Sequence, residues 1–141
     1  YIMSLQPFHL AIPVDNIEKS RNFYTNILGF KEGRSDVKWV DYDFFGHQLV
    51  IHLDNTKIRD KNFNSVDGHE VPVPHFGVVL EWNEWLSFSD KITKLKIEFI
   101  IKPYIRFKGQ VGEQATMFFL DPSGNALEFK SFKNQDQLFK K

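Results

Sequence analysis

Two stretches decide the fold of this chain: FHLAIPV at residues 8–14 and VPHFGVVL at residues 73–80. In each stretch apolar residues alternate with a second set that includes one histidine, His9 in the first and His75 in the second. An apolar period of two predicts a strand that buries one of its faces. Each strand begins a repeat, because a helix and three more strands are predicted after it.

The first repeat continues with a helix that is predicted to begin at Asp15. Asp15 is a favourable N-cap, Glu18 stands three residues on in capping-box spacing, and Gly29 supplies the C-terminal stop. An apolar stripe of Ile17, Tyr24, Ile27 and Leu28 supports the helix. Three strands are predicted next, at residues 30–32, 38–44 and 48–53, with turns at Gly33 and Gly46-His47.

The second repeat has the same order of elements. Apolar residues at helical spacing follow the strand at residues 73–80, and they are Trp85, Phe88, Ile92 and Leu95. Further strands are predicted at residues 96–101, 116–120 and 126–132. Residues 57–71 are polar and rich in Gly and Asn, which predicts a connecting loop between the two halves.

Two βαβββ units, each too small to bury its own face, predict an α+β fold. We expect one cupped mixed sheet around a central metal cavity, with the helices on the outside. The expected organisation is a single domain, with module one at about residues 5–56, a linker at about 57–72, module two at about 73–132 and a polar tail at 133–141.

The composition excludes several classes of function. Eighteen Lys plus Arg balance eighteen Asp plus Glu, so neither nucleic acid nor a membrane surface is an expected partner. The absence of Cys excludes disulfides, thiolate catalysis and Cys-ligated metals. No run approaches the roughly 20 apolar residues of a membrane span, and we expect a cytoplasmic protein.

Four candidate metal ligands occupy similar places in the two repeats. His9 and His75 lie on the first strand of each repeat, while His52 and Glu128 lie on the last strand, where Phe44-Phe45 and Phe118-Phe119 precede comparable turns. Each candidate lies opposite the apolar face of its strand, beside small residues such as Gly77. Imidazoles and a carboxylate in an open cavity suit a divalent first-row metal ion. The alternative is that each histidine is a hydrogen-bonded structural residue. For His52 an outer-shell base or donor is a further alternative, because three protein ligands already make a catalytic metal site.

Polar and aromatic side chains also gather at residues 104–110, which read YIRFKGQ. We interpret this segment as a cavity rim or lid between strands, in which Arg106 and Lys108 hold a substrate carboxylate or enolate. A solvated edge strand is the alternative. A second polar group near the first half consists of Asp41, Asp43, His47 and His69, for which surface or turn roles are expected.

The chain resembles the vicinal oxygen chelate superfamily over nearly its whole length. The motifs that carry the resemblance are HLAIPVD (9–15), RNFY (21–24), LGF (28–30), WVDYDFFGHQL (39–49), PHFGV (74–78), PYIRFKGQ (103–110) and FLDPSGNALEF (119–129). That superfamily includes glyoxalase I, extradiol ring-cleaving dioxygenases, fosfomycin-resistance transferases, methylmalonyl-CoA epimerase and metal-free bleomycin-binding proteins. The chain is most similar to small bacterial members described only as predicted extradiol-type dioxygenases.

The resemblance implies a mononuclear metal enzyme with His9, His75 and Glu128 as ligands and His52 as a possible fourth. His52 stands where glyoxalases place a glutamate, which favours the dioxygenase interpretation. Within it, His52 and Tyr104 are the expected catalytic residues. The expected substrate-binding residues are Arg106, Lys108, Gln110 and Phe118.

The expected cofactor is one divalent ion per site, with Fe(II) or Mn(II) favoured over Ni(II), Zn(II) or Co(II). The expected substrate is small and catechol-like, or carries two vicinal oxygens, and the expected assembly is a homodimer. Two alternatives remain open: a glyoxalase-like isomerase or lyase, and a metal-free drug-binding protein.

Overall fold

The computed structural model describes residues 5–56 and 62–141. Contacts divide these residues into two units, the first made of 5–56 with Pro122–Gly124 and the second made of 62–121 with 125–141. Each unit contains a four-stranded mixed sheet and one main helical segment. The α+β class and the repeated βαβββ order are therefore confirmed.

The first unit contains strands β1 to β4 and one helical segment. Its elements are β1 (His9–Val14), α1 (Ile17–Arg21), which continues as a π-helix at Asn22–Ile27, and then β2 (Lys31–Asp36), β3 (Trp39–Phe44) and β4 (His47–Leu53). The sheet order is β1-β4-β3-β2, with β1 parallel to β4 and the other pairs antiparallel. The core of this unit includes Tyr24 of the helical segment together with Tyr42, Leu49 and Ile51 of the sheet.

The helix of the first unit begins one residue later than predicted. Asn16 is the N-cap, and its side chain accepts a hydrogen bond of 2.9 Å from the Lys19 backbone N–H. Asp15 instead bonds Ser123, which accepts from the Asp15 backbone N–H and donates to its carboxylate, both at 3.0 Å. The end of the helical segment is as predicted, because Gly29 takes a positive φ of 80°.

Two predicted turn residues of the first unit lie in strands. Gly33 is inside β2, at an irregularity of the β2–β3 pairing between Glu32 and Ser35. His47 is the first residue of β4, and its Nδ1 accepts a 2.7 Å hydrogen bond from the Phe8 backbone N–H. Here strand pairing overrides the local turn preference of Gly.

The second unit contains strands β5 to β10 and helix α2. Its elements are β5 (Asn62–Val66), β6 (His69–Val73), β7 (His75–Val79), α2 (Trp82–Lys94), β8 (Phe99–Arg106), β9 (Gln114–Leu120), β10 (Ala126–Phe132) and a 3-10 turn at Gln135–Gln137. The main sheet has the order β7-β10-β9-β8, with β7 parallel to β10, while β5 and β6 form a separate antiparallel pair.

The predicted connecting loop is wrong where the structure describes it, because β5 and β6 form a hairpin. Asp67 and Gly68 turn the chain with positive φ values of 47° and 83°. Asp-Gly is a frequent two-residue hairpin turn for this reason. Residues 57–61 of that loop prediction lie outside the described residues. Of the segment 104–110, residues 104–106 belong to the edge strand β8, which agrees with the edge-strand alternative, and the rest follows that strand.

Helix α2 fixes β10 from the side opposite Glu128. The buried Trp85 donates a 2.8 Å hydrogen bond from Nε1 to the Phe129 carbonyl, and the rings of Phe88 and Phe129 lie 4.7 Å apart. Phe119 stacks on Phe129 at 5.7 Å. These contacts hold alternate residues of β10 in the core, so that Glu128 faces the other side.

Across residues 5–56 and 62–141, the helices are all too short or too polar to cross a membrane.

Candidate metal centre

His75 and Glu128 form a close donor pair in the second unit. Imidazole Nε2 lies 3.0 Å from carboxylate Oε2, and both side chains are partly buried. Two ligand atoms that each lie about 2.1 Å from one ion, at right angles to each other, are separated by about 3.0 Å. The separation of the pair therefore fits two adjacent positions on one divalent ion.

The pairing of β7 with β10 explains how the two side chains meet. Ala126 lies opposite His75, and Glu128 lies opposite Gly77, two residues along on the same face. Gly77 is required for this approach, since a Cβ there would overlap the carbonyl oxygen of Glu128. Gly77, noted above as a small residue beside the candidate ligands, therefore allows the backbones of β7 and β10 to approach each other.

Further contacts orient both donors. Nδ1 of His75 lies 2.6 Å from the Pro72 carbonyl, and because a carbonyl only accepts, Nδ1 carries the proton. Nε2 is thereby the ring nitrogen that is available to a metal. The other carboxylate oxygen of Glu128, Oε1, accepts a 2.9 Å hydrogen bond from Thr116 Oγ1. Such backing of ligands by fixed hydrogen-bond partners is typical of metal sites.

The protonation states of His75 and Glu128 depend on each other. The hydrogen bond to Glu128 raises the pKa of His75; burial opposes the rise and the bond to Pro72 adds to it. Burial alone would raise the pKa of Glu128, but the His75 bond, the Lys130 charge and the Thr116 bond hold it below its usual value. In the metal-free protein a proton on Nε2 is therefore favoured, in the place that a metal ion would take.

We predict that pH moves stability and metal affinity in opposite directions above pH 6.5. The raised pKa of His75 stabilises the metal-free fold below its ordinary value of 6.5, and this contribution is lost as pH rises through the folded value. The lowered pKa of Glu128 stabilises above 4.5, and that contribution is lost as pH falls through the folded value.

Metal affinity should instead rise by about tenfold per pH unit below the His75 pKa, because binding releases the Nε2 proton. Urea unfolding of metal-free protein and Mn(II) titration at pH 5 to 9 measure the two trends. A Mn(II) affinity that does not change with pH would contradict the proposed role of Nε2.

His9 has a comparable arrangement in the first unit. Its Nδ1 lies 2.8 Å from Gln48 Oε1, and the amide nitrogen of Gln48 donates to Asp41 Oδ2 at 3.2 Å. Because the amide nitrogen faces Asp41, its oxygen faces His9 and accepts the Nδ1 proton. Nε2 of the exposed His9 is thus again free to bind a metal. Asp41 and Gln48 also line a cavity of about 410 Å³ within this unit.

We predict that Gln48→Leu weakens metal binding by about 10- to 100-fold, the usual cost of losing an outer-shell partner. Leucine keeps the volume of Gln48 but removes the acceptor that fixes the His9 tautomer. Isothermal titration with Mn(II) measures the change, and Gln135→Leu, at an exposed position of the second unit, is the matched control. Equal affinity in the Gln48 and Gln135 variants would show that His9 is not oriented by this amide.

The equivalence proposed between His52 and Glu128 is wrong. Glu128 lies two residues beyond Ala126, the partner of His75; in the first unit the partner of His9 is Gln48, and two residues beyond it stands Val50. His52 lies opposite Pro13, so it corresponds to Lys130. Four residues of strand separate Gln48 from His52, about 13 Å, which is too far for His9 and His52 of one unit to share an ion. The equivalence expected between Phe44-Phe45 and Phe118-Phe119 is also wrong. Asp41 lies opposite Val50 and Phe118 lies opposite Glu128, so Asp41 is the residue that corresponds to Phe118.

Other expected site residues fall into two groups. Phe118 is buried beside the pair, with its ring 5.0 Å from that of His75, and burial and the charge of Glu128 raise the pKa of Tyr104. Both residues therefore stay near the candidate centre. Lys108 and Gln110 are exposed in the turn after β8.

The hairpin supplies residues that the sequence did not single out for this site. The ring of His69 lies 4.9 Å from that of Tyr104, and Asp67 makes an ion pair with Arg106. His69 thus belongs to the second unit and not to the polar group expected near the first half. The signal that was missed is the Asp-Gly turn, which would have placed residues on both sides of it in paired strands.

Within residues 5–56 and 62–141 no cluster of three or more His, Asp or Glu side chains is found that would hold an ion. The second unit contains the pair His75 and Glu128, and the first unit contains His9 with the Gln48 amide bonded to its ring. Each unit thus contains one βαβββ element, and the first strand of that element, β1 or β7, carries a histidine. The chain is therefore an α+β protein with a duplicated βαβββ element.

The chain belongs to the Glyoxalase/Bleomycin resistance protein/Dioxygenase superfamily, whose family description matches residues 6–129. The chain is 25% identical over 130 residues to the metallothiol transferase FosB of Lysinibacillus sphaericus (strain C3-41), covering 92% of this chain and 84% of that protein. A glyoxalase/bleomycin resistance protein/dioxygenase of Alicyclobacillus acidocaldarius is 30% identical, with a TM-score of 0.79 and coverage of 95% and 96%. The lactoylglutathione lyase of Agrobacterium tumefaciens shares the fold at 15% identity, with a TM-score of 0.64 and coverage of 96% and 97%.

Proposed function

We propose that this chain is a mononuclear metal-dependent enzyme that binds one divalent ion through His9, His75 and Glu128. The observation that carries the proposal is the His75–Glu128 pair, whose donor atoms lie 3.0 Å apart with their other atoms held by Pro72 and Thr116. A sequestering groove without metal needs aromatic walls, and it gives no reason for such an oriented donor pair. Similarity to a metallothiol transferase also favours a metal.

The donor set favours Fe(II) or Mn(II). Two imidazoles and one carboxylate on one side of an ion leave positions for a substrate, and carboxylate with imidazole suits these metals. A bound ion would supply Lewis acidity and, if it were iron, one-electron chemistry with oxygen. The described side chains then have to orient the substrate and move its protons.

Tyr104 and His69 are the groups that we propose for proton transfer. The pKa of Tyr104 is raised by burial and by the negative charge of Glu128, so its phenol remains protonated and can donate. The ring of His69, 4.9 Å from that of Tyr104, provides a neighbouring base. This His–Tyr pair supplies the proton-handling groups of a ring-cleaving reaction. We therefore place Tyr104 and His69 in the role expected of Tyr104 and His52.

Ring cleavage of a catechol-like compound by an extradiol-type dioxygenase is the reaction we propose first. Glyoxalase-type isomerisation is less favoured, because Val50 stands at the first-unit position that corresponds to Glu128 and cannot act as a carboxylate base. Metal-dependent thiol transfer is the second candidate, and similarity to FosB supports it. The homodimer expected from the resemblance stays a prediction.

The test is an activity panel with protein that is purified and reconstituted without oxygen. We expect Fe(II)- or Mn(II)-loaded protein to consume oxygen with a dihydroxybenzoate, and Tyr104→Phe to lower kcat by about 10²-fold or more, the usual range for loss of an acid–base group. Tyr42→Phe is the matched control, because the Tyr42 hydroxyl contacts Thr25 in the first unit. Thiol addition to fosfomycin without oxygen consumption would establish the second candidate, and ligand binding that is indifferent to metal would reject the enzyme.

A further inference from the structure

A partly buried arginine side chain in the second unit is neutralised by an exposed turn residue. The side chain of Arg106 is 15% exposed and pairs through a terminal guanidinium nitrogen with the carboxylate of Asp67, which is 53% exposed. Asp67 is also a non-glycine residue with a positive φ of 47°, at the tip of the β5–β6 hairpin. A buried guanidinium is costly to leave unpaired, whereas an exposed carboxylate returns to water at little cost.

The hairpin lies on the face of the sheet that carries Glu128. Tyr104 and Arg106 are two residues apart on β8 and share a face, and Tyr104 pairs with Thr116, which bonds Glu128. The hairpin contacts this face at His69 against Tyr104 and at Val71, which packs with Ile101 and Phe118.

Arg106 is therefore on the ligand side of the sheet. From strand spacing and rise, its Cα lies roughly 16 Å from that of Glu128. Two side chains and a small aromatic substrate together can span this distance.

We propose that Arg106 binds a carboxylate group of the substrate, and that the Asp67 carboxylate occupies this subsite in the substrate-free protein until the substrate displaces it. Exchange of one carboxylate for another leaves the partly buried guanidinium paired both before and after the substrate binds. The ring of Phe107 lies 5.1 Å from the Arg106 guanidinium carbon, and Tyr104 is close by, so the surroundings suit a planar aromatic acid. The position of the reacting oxygens rests on the proposed function, whereas carboxylate binding at Arg106 does not.

Because no metal is needed for this step, metal-free protein tests it separately from the proposed function. Benzoate is the probe, benzamide is its neutral counterpart and methylphosphonate distinguishes a carboxylate subsite from a general anion site. Isothermal titration is carried out in chelator on the wild type and on Asp67→Asn, Arg106→Gln and the control Asp90→Asn. Asparagine tolerates the positive φ of the turn, so the hairpin is retained.

We expect Asp67→Asn to bind benzoate at least 10-fold more tightly than the wild type, with benzamide binding unchanged and Arg106→Gln without benzoate binding. Unchanged or weaker benzoate binding in Asp67→Asn would overturn the proposal and leave the ion pair as a structural contact. Equal tightening of methylphosphonate would overturn the assignment to carboxylates. If Arg106→Gln fails to fold, the comparison of Asp67→Asn with Asp90→Asn decides.

Discussion

Glu128→Ala is expected to weaken Mn(II) binding by more than about 100-fold, beyond the 10- to 100-fold typical for loss of an outer-shell partner. The reason is that Glu128 is the one carboxylate of the proposed donor set, and its Oε2 faces the available nitrogen of His75 at 3.0 Å. Alanine also removes the acceptor of the Thr116 hydroxyl. The fold should survive, since Leu127 and Phe129 on the opposite face of β10 keep their buried positions. Metal titration measures the affinity, and circular dichroism checks the fold.

The control for this variant is Glu98→Gln. Glu98 is an exposed carboxylate of the same unit, so its replacement changes the net charge without touching the donor pair. Glu98→Gln should bind Mn(II) like the wild type. If both variants lost affinity equally, general charge and not coordination would explain the effect, and the donor set would have to be revised.

The second large effect is expected for Gly77→Ala, which should lower the free energy of unfolding by about 3 kcal/mol, at the upper end of the usual cost of overpacking. The new Cβ would overlap the Glu128 carbonyl oxygen, so β7 and β10 must move apart. That shift also separates His75 from Glu128, and we expect metal affinity to fall together with stability. Urea unfolding of the metal-free protein gives the free energy.

Gly33→Ala is the matched control in the first unit. Gly33 also lies in a strand and has no positive φ, but its Cβ would meet the Asp41 Cβ at an ordinary 3.5 Å. We expect a change within about 0.5 kcal/mol. A similar loss in both variants would mean that alanine in a strand, and not the approach to Glu128, causes the destabilisation.

Strand alternation together with the helical stripes and turn residues was sufficient to predict the βαβββ order and the strands that carry His75 and Glu128. Strand alternation is local, so the face of each side chain follows from its neighbours along the chain. The hairpin was missed because every residue of β5 is exposed. Without a buried face, no apolar pattern distinguishes that strand from a loop.

The residues that orient the donor atoms of His9 and Glu128 could not be predicted from sequence patterns. Gln48 contacts His9 because β1 and β4 are parallel neighbours, although the two residues are 39 positions apart. Thr116 and Glu128 depend likewise on the β9–β10 register. The error at His52 has the same origin: matching histidines by their order along the chain ignored the strand register, which places Val50 at the equivalent position.

The most direct test of the metal centre counts the imidazoles bound to the ion. Electron spin echo envelope modulation of Mn(II)-loaded protein detects each coordinated ring nitrogen. We predict two imidazoles in the wild type and in His52→Ala, and one imidazole in His9→Ala and in His75→Ala. A single imidazole in the wild type that persists in His9→Ala, or a signal that changes with His52→Ala, would contradict a centre formed by His9, His75 and Glu128.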